Sequence, residues 1–278
     1  MEKIDKKYLE DLRKLQLLEL KIAKEIKRVC EKNNISYFLV GGTLLGAVRH
    51  QGFIPWDDDM DIGMLRSDYK KFIEVCSRDL GDEFFLQTYQ TDNGYGDFFA
   101  KVRLNGTHFT EYVTSATTCH DGVFVDIFPY DFTSESEKER KKLISKINSL
   151  SNLYQYKKGY KMWSKDLLHM CYFYLCKFQG LFKTLSQIED DVDKLLSLFD
   201  YPTYPYVISY FDCTRQKEYI SISDLNNLKD YIFEDTTFKG PLDAGVYLTA
   251  VYGDYMELPP EENRYNRHDV VNLDFGSY

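Results

Sequence analysis

Apolar and polar positions along this chain follow two periods, and the changes between them mark the elements. From residue 6 to 33, Tyr8, Leu12, Leu15, Ile22, Ile26 and Val29 recur at helical spacing and stop near Asn33-Asn34, which predicts one amphipathic helix packed on a sheet. Tyr37 to Val40 is wholly apolar and reads as a buried strand, followed by the Gly41-Gly42 turn and a short helix, Leu44 to Arg49, with Thr43 as its cap. Beyond an acidic segment, Ser67-Asp68 opens a helix through Cys76, and Phe84 to Thr88 reads as a short strand. Phe98 to Leu104 alternates and places Lys101 and Arg103 on one face; Thr107, Phe109 and Glu111 lie in the next strand. In Gly122 to Pro129, Asp126 interrupts an apolar strand that Pro129 is expected to end.

Residues 134–200, rich in Lys, Ser, Leu and Tyr and poor in Gly and Pro, predict a helical insertion. Its Leu167 to Leu185 stretch is apolar and aromatic but too short and interrupted for a membrane span. It reads either as a helix buried in the insertion, the preferred reading, or as an interfacial helix. Residues 201–245 suggest loops and short strands. A further helix beginning near Pro241-Leu242-Asp243 is expected to end at Pro259-Pro260, presenting Arg264, Arg267 and His268 from a loop.

The chemistry concentrates between 41 and 61. Gly41-Gly42 lets backbone N–H groups approach a phosphate, and the helix N-terminus behind it adds partial positive charge. In Trp-Asp-Asp-Asp-Met-Asp-Ile, residues 56 to 62, Asp59 and Asp61 share a face with Asp57, whereas Asp58 faces the other way and Met60 and Ile62 turn to the core. Carboxylates crowded on one face repel unless a hard cation such as Mg²⁺ joins them. Asp126, in its apolar strand, likewise requires a partner. Lys101 and Arg103 read either as phosphate ligands or as the solvated face of an edge strand; Arg49 and His50 stand within reach of the same phosphate.

Together the strand with Gly-Gly-Thr, the Trp-Asp-Asp-Asp-Met-Asp-Ile segment, Val-Asp-Ile-Phe-Pro at 125 to 129 and Tyr-Gly-Asp-Tyr-Met-Glu-Leu-Pro-Pro at 252 to 260 closely resemble the LicD family. The resemblance runs from Leu17 to His268, dense in 37–66, 98–131 and 247–268 and thin between 135 and 240. It implies a phosphotransferase: a single α/β domain with a nucleotidyltransferase-like mixed sheet flanked by helices. The core would be about 17–133 and 240–270, with the helical insertion at about 134–200.

The implied reaction moves a substituted phosphate, in the best-known members phosphocholine from CDP-choline, onto a sugar of a bacterial surface polysaccharide or its lipid-linked precursor. Glycerol phosphate, ribitol phosphate or aminoethylphosphonate from a CDP- or CMP-linked donor is the alternative, and a silent nucleotide- or polysaccharide-binding scaffold is the rival of another class. The resemblance assigns Asp59, Asp61 and Asp126 to Mg²⁺ (or Mn²⁺) and catalysis and places Gly41, Gly42, Lys101, Arg103, Arg264 and His268 about the donor; Thr43 and Arg49 join the donor candidates by their position at the two ends of the short helix. Asp57, Tyr252 and Asp254 are secondary candidates. The interval from Gly42 to Asp59 is longer than in polymerase-like branches, so the ligand pair within 57–61 stays open.

Composition narrows the classes. Forty-four acidic against 35 basic residues, a formal charge of −9, argues against binding long nucleic acid. The six cysteines form no Cys-x-x-Cys pair and no zinc spacing with histidines, which predicts reduced packing residues. The charged opening Met-Glu-Lys-Ile-Asp-Lys-Lys suggests no signal peptide and a cytoplasmic protein, with peripheral contact to the inner membrane face left open.

Overall fold

The computed structural model describes residues 6–161, 167–199, 204–211, 218–265 and 268–278; Cys213 and Arg267 lie outside them. The chain opens with helix α1 (Lys6–Asn33), whose stripe of Leu12, Leu15, Ile22, Ala23, Ile26 and Val29 is buried, as its spacing predicts. Strand β1 (Phe38–Leu39), helix α2 (Gly41–Arg49), strand β2 (Asp61–Leu65) and helix α3 (Arg66–Asp79) follow. Next come β3 (Phe84–Gln87), β4 (Ala100–Leu104), β5 (His108–Glu111) and β6 (Phe124–Thr133). Helices α4 (Glu137–Lys158), α5 (Leu167–Gly180) and α6 (Leu185–Leu196) form the insertion. The chain closes through β7 (Tyr206–Ile208), β8 (Ile220–Ser221), α7 (Ile222–Leu225), the hairpin β9 (Lys229–Phe233) and β10 (Thr236–Gly240), α8 (Ala244–Tyr252) and β11 (Val270–Asp274).

The central sheet runs β1-β2-β6-β4-β3, with β7 and β8 continuing from the far end of β6. Only β2 and β6 are parallel among these neighbours, so the sheet is mixed. Helices α1 and α3 pack on it and bury Ile62, Val102, Val125 and Ile127 in one core. The expected α/β architecture is therefore present. The insertion has a smaller core of its own, in which Leu153, Tyr154, Cys176, Ile188 and Val192 meet Phe98.

Several boundaries differ from expectation, each for a physical reason. Pro129 does not end its strand: β6 stops pairing with β4 at Ile127 and begins pairing with β7 at Asp131, so the missing N–H of Pro129 falls where that edge has no partner. Strand β4 is interior, not an edge, and Lys101 and Arg103 are buried rather than solvated. The last long helix ends at Tyr252, where Gly253 takes φ 71°, well before Pro259. Helix α5 is only partly a core element: Cys176 is buried, whereas Leu167, Tyr174, Leu175, Phe178, Leu181 and Phe182 are all exposed on it and the turn that follows. Among the described residues no helix is long and apolar enough to cross a membrane.

Close packing at the sheet centre makes one substitution diagnostic. A Cβ on Gly63 would lie 2.5 Å from Phe38 and 2.9 Å from Tyr130, two rings in edge-to-face contact at 5.1 Å. Gly63→Ala is expected to lower the free energy of urea unfolding by about 1–3 kcal/mol through overpacking. An unchanged midpoint would mean that this interface is looser than the contacts indicate.

Candidate active site

Strand register assembles the site. Asp61 on β2 is paired with Asp126 on β6, and Asp126 with Lys101 on β4, so the three side chains form a row across neighbouring strands. All three are almost fully buried. Lys101 Nζ donates to Asp126 Oδ1 at 2.6 Å and lies 3.5 Å from the centre of the Phe124 ring. Burial pushes the Asp126 carboxyl up to about 6, against the pull of Lys101. Asp59, just before β2, is also raised by burial, with the charge of His268 opposing.

The Gly-Gly turn closes over these carboxylates. Gly41, at φ 54°, opens α2, and a Cβ there would sit 3.1 Å from Asp61 Oδ2; a Cβ on Gly42 would sit 2.8 Å from Asp57 Oδ2. Glycine is thus required where backbone meets carboxylate. Two expectations change here. The Gly41 N–H donates to the Tyr247 hydroxyl at 3.2 Å, and Thr43 does not cap the helix, which starts two residues earlier. The Thr43 hydroxyl instead accepts the Asp61 N–H at 2.8 Å, tying the first turn of α2 to the start of β2.

Asp58 turns toward His268, while a carboxylate oxygen of it stays within 4.8 Å of those of Asp57 and Asp59. Its Oδ1 is 3.1 Å from His268 Nδ1, and its Oδ2 is buried without a hydrogen-bond partner. Burial opposes charge on His268, but the hydrogen bond to Asp58 and the charges of Asp59 and Asp58 prevail and raise it to about 9. His268, a donor-binding candidate from sequence, is thus held toward its protonated form by these acidic neighbours.

Glu19 was not legible as a site residue. It lies in the buried stripe of α1, its Oε2 has no hydrogen-bond partner, and burial followed by the charges of Asp59, Asp58, Asp57 and Asp126 raises its pKa well above the usual range. Gln16, one turn earlier, donates to the carbonyls of Ile54 and Asp57 at 3.3 and 3.0 Å. The available signal was two polar residues on an otherwise apolar helical stripe.

Two cavities meet at Asp59 and Asp61. The larger, about 860 Å³, is lined by Gly41, Gly42, Arg49, Asp57, Tyr252 and Asp254, all anticipated, and by Trp56 and Tyr247, which were not. Arg49 donates to the carbonyls of Tyr255 and Glu257, and Arg264 donates to Pro259 and lies over Trp56 at 5.5 Å. The smaller, about 320 Å³, contains Asp126, Lys101 and His268 together with Asp97 and Glu111. Arg103 lines neither cavity: it donates to Gln87 and the Gly122 carbonyl and rests on Phe124. His50 contacts Arg49 and Trp56, outside both linings.

The donor set suits a hard cation. Carboxylate oxygens of Asp57, Asp58 and Asp59 lie within 4.8 Å of one another, Asp61 and Asp126 are adjacent on the sheet, and the orphaned Asp58 oxygen retains a lone pair. Oxygen donors alone, without thiol or imidazole in the cluster, favour Mg²⁺ or Mn²⁺ over zinc.

The Asp58–His268 pair gives a pH test on metal-free protein. The folded-state pKa of His268 lies above 6.5, so its stabilisation is complete below that pH and lost as pH rises through about 9. The difference in unfolding free energy between wild type and His268→Gln should shrink by on the order of 2–3 kcal/mol between about pH 6 and pH 10. A difference independent of pH would contradict the ion pair.

With this geometry in place, the comparisons with known proteins are direct. Residues 34–179 match the family described as LicD/FKTN/FKRP, nucleotidyltransferase domain. The lipopolysaccharide cholinephosphotransferase LicD of Haemophilus influenzae is 31% identical over 265 residues, spanning 92% of this chain and 96% of that protein. Human ribitol 5-phosphate transferase FKRP is 46% identical over 87 residues, 31% of this chain and 18% of that protein. The carboxylate row, the glycine turn above it and an alignment over nearly the whole length agree: this chain belongs to the LicD family of phosphotransferases.

Proposed function

We propose that this chain transfers phosphocholine from CDP-choline to a sugar hydroxyl of a bacterial surface polysaccharide, such as a lipopolysaccharide, teichoic acid or capsule, or of its lipid-linked precursor. The observation that carries the reading is the in-register pair Asp61 and Asp126, set with Asp59 where two cavities join. Asp59, Asp61 and Asp126 would hold Mg²⁺, or Mn²⁺ in its place, and the bound ion would neutralise the donor phosphates and the leaving nucleotide. The likeness in sequence to a cholinephosphotransferase along almost the entire chain supports the choice of headgroup.

The remaining roles follow from placement. The larger cavity takes the nucleotide half of the donor, with the α2 N-terminus at its phosphates and Trp56 and Tyr252 as flat apolar surfaces. Arg49 lines that cavity and Arg264 stands beside Trp56, each contributing fixed positive charge. The His268 imidazolium adds a further cation beside Asp59. Where Asp59 and Asp61 hold the ion, Asp126, oriented by Lys101 and next to Asp61 on the sheet, is the carboxylate placed to accept the proton of the attacking hydroxyl. A second reading, transfer of ribitol phosphate, is favoured by the shorter stretch shared with FKRP.

Turnover of CDP-choline with Mg²⁺ tests the assignment. Asp59→Asn and Asp61→Asn should each reduce turnover by on the order of 100-fold or more, and Asp58→Asn by less than about tenfold. Near-normal turnover in either of the first two would overturn the metal assignment. Absence of metal-dependent turnover of any CDP-linked donor by wild type would favour a binding scaffold.

A lipid-linked acceptor calls for a cytoplasmic enzyme seated on the inner membrane face. The exposed side chains Leu175, Phe178, Leu181 and Phe182, in a stretch from 167 to 188 that holds two lysines and no acidic residue, support α5 as the contact. Wild type should float with anionic liposomes at low salt, and Phe178→Ser with Phe182→Ser should remain in the soluble fraction. Wild type that stays soluble would remove the membrane contact.

A further inference from the structure

We infer that the smaller cavity is the subsite for a cationic donor headgroup, a quaternary ammonium, with Asp97 as its counter-ion and Phe99, Phe128, Tyr156 and Tyr160 as its aromatic walls. The inference rests on the transfer reading above and specifies its donor. At about 320 Å³ the cavity is at the small end for a ligand pocket, sized for a compact group rather than a nucleotide. It adjoins the carboxylates on the side away from the larger cavity, sharing only Asp59 and Asp61 with it. A donor whose phosphates lie at those two residues would extend its nucleotide one way and its headgroup the other.

Charge in the cavity points to a cationic ligand. Five carboxylates line it, Asp59, Asp61, Asp97, Glu111 and Asp126, against three cations: Lys101 pairs with Asp126, His268 with Asp58, and Lys161 rests on the Ser115 hydroxyl and the Tyr112 ring. The Asp97 carboxylate receives only neutral donors, Gln155 Nε2 at 2.6 Å on Oδ1 and the Tyr160 hydroxyl at 2.9 Å on Oδ2. These bonds orient the group without neutralising it. A half-buried carboxylate hydrogen-bonded only to neutral donors, with Lys101 acting on it from a distance, gains further from a mobile cation.

The walls suit a cation that cannot donate hydrogen bonds. Phe99 and Phe128 stand 4.7 Å apart at 38°, and Tyr156 is braced edge-on by Phe173 at 4.5 Å. Aromatic faces attract a methylated ammonium through their quadrupoles and ask for no hydrogen bond in return. The cage is also rigid: a Cβ on Gly96 would lie 3.1 Å from both the Gln155 Cα and the Tyr160 ring, and the Gly96 N–H donates to the Tyr160 hydroxyl at 3.0 Å. The loop carrying Asp97 and the end of α4 are therefore locked together. A polyol phosphate would need neither the counter-ion nor so many π faces.

Titration calorimetry with phosphocholine and with glycerol phosphate, paired with KM values for CDP-choline and CDP-glycerol, tests the subsite. Asp97→Asn and Tyr156→Leu should weaken phosphocholine binding and raise the KM of CDP-choline by about tenfold, and change the glycerol ligands less than about twofold. Tyr156→Phe, which keeps the ring, should restore the preference. Equal loss for both ligands, or an effect confined to the acceptor's KM, would overturn the inference; the second result would make the cavity an acceptor site. Wild type that binds phosphocholine but transfers nothing from CDP-choline would sink the transfer reading and leave the subsite standing. Wild-type transfer with a preference unchanged in the variants would do the reverse.

Discussion

Two carboxylates placed side by side on parallel strands impose the constraint around which this protein is built. Asp61 and Asp126 are register partners, and the backbone hydrogen bonds of β2 and β6 hold them together whether or not their charges are compensated. Asp57, Asp58, Asp59 and Glu19 crowd the same end of the sheet. Folding concentrates repulsion that the unfolded chain disperses, and the site answers it in three ways. Lys101 pairs with Asp126, His268 is charged beside Asp58, and Glu19 is driven toward its neutral form. Asp57, Asp59 and Asp61 line the cavity where phosphate would arrive, with the charges of His268 and Lys101 acting on Asp59.

The fold supplies the force that holds this arrangement. Apolar residues between the carboxylates, Met60, Ile62, Val125 and Ile127, are wholly buried, so the strands cannot slip register without exposing them. The glycine turn then brings backbone to within contact of Asp57 and Asp61, and Thr43 and Tyr247 fix that turn from opposite sides by hydrogen bonds. The insertion contributes the end of α4, which together with Asp97 walls the smaller cavity. Sheet and helices therefore contribute different parts of the lining: the strands carry Asp61, Lys101 and Asp126, and the end of α4 walls the smaller cavity.

Much of this was legible in the residues. The α1 stripe, the Gly-Gly turn and the anomaly of Asp126 in an apolar strand all rest on local pattern, which survives folding unchanged. Features set by neighbours distant in sequence were not. Lys101 and Arg103 share a face and a residue type, yet Lys101 opens on the cavity and Arg103 is consumed by Gln87 and Gly122; only the order β6-β4-β3 distinguishes them. Pro129 continues its strand because of a gap between two partners that no local rule reveals. Thr43 looked like a helix cap and is a tether to β2. Helix α5, composed like a core helix, leaves Tyr174, Leu175 and Phe178 in solvent, and among its described residues only Cys176 and Gly180 are buried.

If carboxylate crowding is the organising feature, a cation must bind the folded apoprotein tightly and stabilise it. Electron paramagnetic resonance of Mn²⁺ added to chelator-treated protein measures this without any donor or acceptor. The account predicts saturable uptake of Mn²⁺ by wild type, displaced by excess Mg²⁺ and lost in Asp61→Asn, with a higher melting temperature for the loaded protein. No saturable uptake by a folded wild type, or uptake unchanged by Asp61→Asn, would contradict it.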